Sequence, residues 1–219
     1  MSSMRAIAAA GGALYLLTFV TSIPALALKQ PFLDGGEPGP MVALAAVLEI
    51  LLAIACLGTA VVLLPVLRRH GEIGAFGFLA SRGLEAAIIM ADVVALLSLS
   101  TVRTAGVALD DPAVAALTAL HDWAFLIGPG LMAPINALCL GSVLYRSGLV
   151  PRAIPLIGLI GAPIQLVSVV LSILGVYGQV STFASIAALP IAVWEFSLGV
   201  RLLGWGFRRD ALERGAVAA

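Results

Sequence analysis

Six apolar runs, each close to the roughly 20 residues that carry a helix across a bilayer, recur from one end of this chain to the other. They read as Ala6 to Leu28, Met41 to Leu67, Gly74 to Leu99, Leu120 to Tyr145, Ile154 to Leu174 and Phe183 to Gly204. Of the 219 residues, 61% are hydrophobic and 11% charged, against about 25% charged in ordinary soluble domains. The stretches between the runs are too short for a soluble domain. The expected fold is an all-α polytopic membrane bundle, with a single transmembrane domain over residues 1–219 and a short tail over 205–219.

The breaks carry turn chemistry. Asp34-Gly35-Gly36-Glu37-Pro38-Gly39-Pro40 is a turn cluster, Arg68-Arg69-His70-Gly71 a short charged loop, and Arg146-Ser147-Gly148 with Pro151 closes the fourth run. In the long third break, Asp111-Pro112 is a good helix start, either for a short amphipathic helix or for one long helix continuing through the fourth run. With an even number of spans, Arg5, Arg68, Arg69, Arg146, Arg152, Arg208, Arg209 and Arg214 share one side, while Lys29 and Arg103 fall on the other with Asp34, Glu37, Asp110 and Asp111. That asymmetry predicts cytoplasmic termini. Arg5, the first apolar run and Ala25-Leu26-Ala27 resemble a secretory leader, but the run is longer than a leader core and is read as a retained helix. Cys56 and Cys139 have no metal or redox spacing and read as packing residues.

Acids inside these runs are the best clue to function. Glu49, Glu85, Asp92, Asp122 and Glu195 sit in predicted spans, with Arg82 among them. Charges in hydrocarbon cost several kcal/mol, so they face a protein interior or do work. At 100° per residue Arg82, Glu85 and Asp92 fall within an arc of about 80°. This predicts an inward polar stripe on the third span, with Arg82 and Glu85 paired and Asp92 in need of another partner. The stripe reads either as an ion pair that fixes helix packing or as a functional site.

In the fourth run, Gly128-Pro129-Gly130 predicts a kink or interruption. Asp122 and Asn136, fourteen residues apart, would share a face across it. Trp123 and His121 read equally as interfacial residues. Glu195, near the middle of the last span, must be protonated or paired, with Arg82 as a partner. Gln165 and Ser168 would complete a polar centre.

Glu49 in its long span, Val66-Leu67-Arg68-Arg69-His70, Arg82-Gly83-Leu84-Glu85, Asp122-Trp123-Ala124-Phe125-Leu126-Ile127-Gly128-Pro129-Gly130 and Leu144-Tyr145-Arg146-Ser147-Gly148-Leu149-Val150-Pro151-Arg152 together resemble a bacterial membrane family catalogued as domain of unknown function DUF4386. The resemblance runs over nearly the whole chain. It implies the multi-span fold and the inner membrane of a bacterial cell, and it carries no activity or catalytic residues.

Two functional classes follow from the buried acids. The first is a site for a small lipophilic molecule, bound or transformed by general-acid chemistry of the membrane terpene cyclase type. Here Glu195 and Glu49 are the candidate acids and Asp92 and Asp122 the orienting groups. Arg82, Glu85, Trp123, Asn136 and Gln165 would bind substrate. Trp123, Phe125, Trp194 and Phe196 are candidate cation stabilisers, although aromatics in spans more commonly pack. The second class is a proton-coupled transporter gated at the interrupted span, although no internal repeat supports it. An accessory protein with no catalytic activity is the third reading. A homodimer is compatible with all three. Lys plus Arg and Asp plus Glu balance at twelve each, which gives no nucleic-acid surface. No Walker, GxGxxG, HExxH or DDxxD motif is present, so neither a cofactor nor a metal is expected.

Overall fold

In a computed structural model that describes residues 2–217, the chain is helical throughout its regular structure. The helices are α1 (Ser2–Leu33), α2 (Pro40–Leu67), α3 (Glu72–Thr104), α4 (Pro112–Phe125), α5 (Met132–Ser147), α6 (Ala153–Ile173), α7 (Thr182–Gly204) and α8 (Arg209–Val217). A π-helical segment, Leu126–Leu131, joins α4 to α5. The described residues contain six apolar helical stretches long enough to cross a membrane, with α4, the π segment and α5 forming one of them, Pro112–Ser147. The protein is therefore a multi-span membrane protein. The long-helix alternative for the fourth span is the one realised, because Asp111 caps α4 by accepting from the Ala113 amide at 2.8 Å and Pro112 starts it.

Neighbouring helices pack in the cyclic order α1, α2, α3, α4–α5, α6, α7, and α7 closes back on α1. The chain alternates direction, so one end of the bundle, the terminal end, holds the start of α1, the end of α7 and α8. The distal end holds the three other connections. At the terminal end a core of Leu63, Phe78, Leu140, Trp194 and Leu198 is fully buried. At the distal end a second apolar cluster of Phe32, Val42, Leu96, Leu99 and Val114 is buried, alongside the buried polar side chains Lys29, Glu49, Asp92 and His121.

Glycine sets the closest approach between helices. A Cβ on Gly12 of α1 would lie 2.4 Å from the Leu203 nitrogen and 2.7 Å from the Gly199 oxygen of α7. Because both obstacles are backbone, Gly12→Ala must part the two helices. It is expected to lower unfolding stability in mild detergent by about 1–3 kcal/mol, whereas Gly83→Ala, whose Cβ meets nothing within 4 Å, should not. Equal stability of the two variants would contradict this packing.

The segment expected to be a tail is held to the bundle over its described part. Gly206 turns the chain at φ +71°, the Arg208 amide donates to the Leu149 oxygen at 2.8 Å, and Ala211 is fully buried. Ala218 and Ala219, and the Arg214 side chain counted with the basic end, lie outside the described residues.

Candidate functional site

The polar stripe of α3 faces inward: Arg82, Glu85 and Asp92 are each buried. Glu85 and Asp92 are seven residues apart, about 10 Å along the helix, and each belongs to its own charge network.

The inner network is built on Arg82. Its Nη1 donates to Glu85 Oε2 at 2.8 Å and its Nη2 to Glu195 Oε1 of α7 at 2.6 Å. Asn136 Nδ2 also donates to Glu85 Oε2 at 2.7 Å and is itself held by the Ser81 hydroxyl. The Tyr15 and Phe78 rings lie 5.1 and 5.8 Å from the guanidinium carbon and replace part of its hydration. Arg82 Nη1 also reaches Cys56 Sγ at 3.4 Å, so Cys56 does more than pack. Two carboxylates share one permanent cation.

The distal network centres on a residue assigned from sequence to a loop. Lys29 is in fact inside α1 and 1% exposed. Its Nζ lies 2.5 Å from Glu49 Oε1, 3.4 Å from Asp92 Oδ2 and 5.2 Å from the Phe125 ring centre. The apolar run ends at Leu28, whereas α1 continues through Pro31 to Leu33. His121 is likewise drawn into the interior of the bundle. It is buried, with Nδ1 2.5 Å from Asp92 Oδ1, an ion-pair distance without hydrogen-bond alignment. Because α4 starts at Pro112, His121 lies more than two turns inside it. Asp92 thus acquires the partner that the sequence demanded, and acquires two.

Three neighbouring clefts, which share wall residues, lie between the distal end and these networks. A wide cavity of about 900 Å³ is lined by Lys29, His121, Asp122, Trp123, Tyr177 and Gln179. Below it, sharing Leu26 and Phe125, a space of about 220 Å³ touches Glu49 and Asp92. A third, of about 340 Å³, shares Ile89 and Pro129 with the second and reaches Arg82, Glu85, Gln165 and Glu195. A side space of about 260 Å³ runs along Gln165 and Ser168. Among the described residues lining these spaces, Glu49 Oε2, Gln165 Oε1 and Gln179 Oε1 are buried acceptors with no protein donor, and Arg82 Nε is a buried donor with no acceptor.

The predicted site residues therefore divide. Glu195, Arg82, Glu85 and Asn136 come together in the inner network, with Gln165 on its cavity wall. Glu49 and Asp92 meet around Lys29. Asp122 and Trp123 line only the wide distal cavity. Asp122 and Asn136, fourteen residues or about 20 Å apart along the span, stand at different places, Asp122 on the distal cavity and Asn136 in the inner network. The interruption is real, and Gln165 Nε2 donates to the Gly130 oxygen within it at 2.9 Å. Of the aromatic candidates, Phe125 faces Lys29, while Trp194 packs on Gly158 and Phe196 stacks edge-on against Phe19. The latter two line none of these clefts.

Comparison with known proteins gives a family but no activity. No curated protein and no solved structure matches the chain. The family model described as Domain of unknown function (DUF4386) matches residues 10–206, from the first turns of α1 to just beyond α7, and the chain belongs to that family.

Proposed function

We propose that the protein binds a small lipophilic molecule bearing a cationic or hydrogen-bond-donating group, which enters from the distal end and sets that group against Glu195. The observation that carries this reading is the run of adjoining clefts, sharing wall residues, that ends on the inner network. Its walls, including Leu52, Ile89, Ala133 and Ile191, are apolar and suit a hydrocarbon body. The charge count suits the polar group: among the described residues Arg82 is the one cation paired with Glu85 and Glu195, and a ligand cation or a proton would supply the missing positive charge. Glu49 Oε2 and Gln165 Oε1 offer further acceptors along the way. If turnover follows binding, Glu195 is the group placed to exchange a proton with the ligand, with Arg82 orienting it. The distal quartet of Lys29, Glu49, Asp92 and His121 would be balanced when His121 is protonated. That observation favours proton-coupled transport as a second reading, with two proton-accepting networks on either side of Pro129.

Glu195→Gln keeps the shape of the cleft and removes one charge. Purified in mild detergent beside wild type, it should lose a lipophilic compound that wild type retains, with roughly tenfold or greater depletion by mass spectrometry. Equal retention of the same compound would remove Glu195 from the site. No specific compound in wild type would move the assignment to transport, and proton flux into reconstituted vesicles would then be measured.

A further inference from the structure

The terminal end carries a second cavity, of about 450 Å³, separate from the distal clefts and differently built. Arg5, Arg69, His70 and Arg209 lie around it against a single acid, Glu213. Its other walls are apolar, formed by Val66, Trp205, Phe207 and Leu212 among others. Two of its polar residues hold the walls in place. Arg5 donates to the Leu202, Leu203 and Gly204 oxygens at 2.9, 2.7 and 2.9 Å, which caps the end of α7. His70 sets its Nδ1 and Nε2 each 3.1 Å from a backbone oxygen, Val66 of α2 and Ala211 of α8. Arg69 and Arg209 differ: both are exposed, and among the described residues neither guanidinium has a hydrogen-bond or ion-pair partner. Trp205, 68% exposed, stands just past the end of α7, the kind of position at a span end that tryptophan favours in membrane proteins.

We propose that this cleft is a binding site for an anionic phospholipid, with Arg69 and Arg209 holding the phosphate. Guanidinium forks match phosphate oxygens in a bidentate way. Basic pockets beside span ends are suited to anionic headgroups. The apolar walls and Trp205 select a lipid over free phosphate, since they give the glycerol and first acyl carbons a surface that phosphate alone would leave uncovered. This inference is independent of the distal site.

The test uses the full chain in mild detergent, with thermal unfolding followed during titration with phosphatidylglycerol, phosphatidylcholine or inorganic phosphate. Phosphatidylglycerol should raise the unfolding temperature and phosphatidylcholine should not. Arg69→Gln with Arg209→Gln should shift the phosphatidylglycerol midpoint up by roughly tenfold or more. Arg68→Gln with Arg146→Gln, exposed arginines at the same end but outside the cavity, should leave it in place. Arg209→Gln alone, on the peripheral α8, gives a separate reading should the double variant fail to fold. An equal response to phosphatidylcholine, an equal loss in the control pair, or full competition by inorganic phosphate would overturn the assignment.

Discussion

Lys29→Met should lower unfolding stability in mild detergent by about 3–5 kcal/mol, the range expected when one partner of a buried ion pair is removed. Lys29 bridges both acids of the distal quartet, and its loss leaves Glu49 with no counter-charge in contact and Asp92 with His121 alone. Adding Glu49→Leu should recover most of the loss, because the remaining Asp92 and His121 still pair. If Lys29→Met unfolds no more easily than wild type, the quartet does not hold the distal half of α1, α2, α3 and α4 together.

Arg82→Met should cost a similar amount, again about 3–5 kcal/mol, since it strands Glu85 and Glu195 together. The rescue differs from what the sequence alone suggests. From the i, i+3 pair on α3, Arg82→Met with Glu85→Leu would be the compensating change. In the structure that double variant still leaves Glu195 unpaired, and it also removes the acceptor of Asn136 Nδ2. The triple change Arg82→Met, Glu85→Gln and Glu195→Gln neutralises all three positions and keeps an oxygen for Asn136. Denaturation should show the triple variant well above Arg82→Met with Glu85→Leu. The reverse order would mean that Glu195 is not held by Arg82.

The membrane fold and half of the charge architecture were legible because helical periodicity is a strong local signal. Residues 82, 85 and 92 had to share a face, and an unpartnered Asp92 demanded a cation. The cation itself was hidden by its position. Lys29 follows the last strongly apolar residues of its run and precedes a proline and a turn cluster, so composition alone puts it in the loop. Helix α1 instead continues to Leu33, stabilised by tertiary packing against α2 rather than by propensity. His121 is obscured for a related reason, since the apolar run of the fourth span begins at Leu120, eight residues after the helix does. The break at Pro129 was legible, but not its form. A π segment reorients everything beyond it, which no spacing counted on a regular helix can anticipate.

Continuity of these clefts is most directly tested by thiol labelling of Ala192→Cys, which lines the inner chamber beside Glu195, in a Cys56→Ala and Cys139→Ala background. Val193→Cys, on the exposed face of the same helix, is the control. With a charged, membrane-impermeant methanethiosulfonate applied to the distal side of oriented vesicles, the account predicts that Ala192→Cys reacts, and more slowly when the retained compound is added back, while Val193→Cys stays inert in the lipid. Equal inertness of both positions, or reaction of Val193→Cys alone, would contradict an open path from the distal end to Glu195.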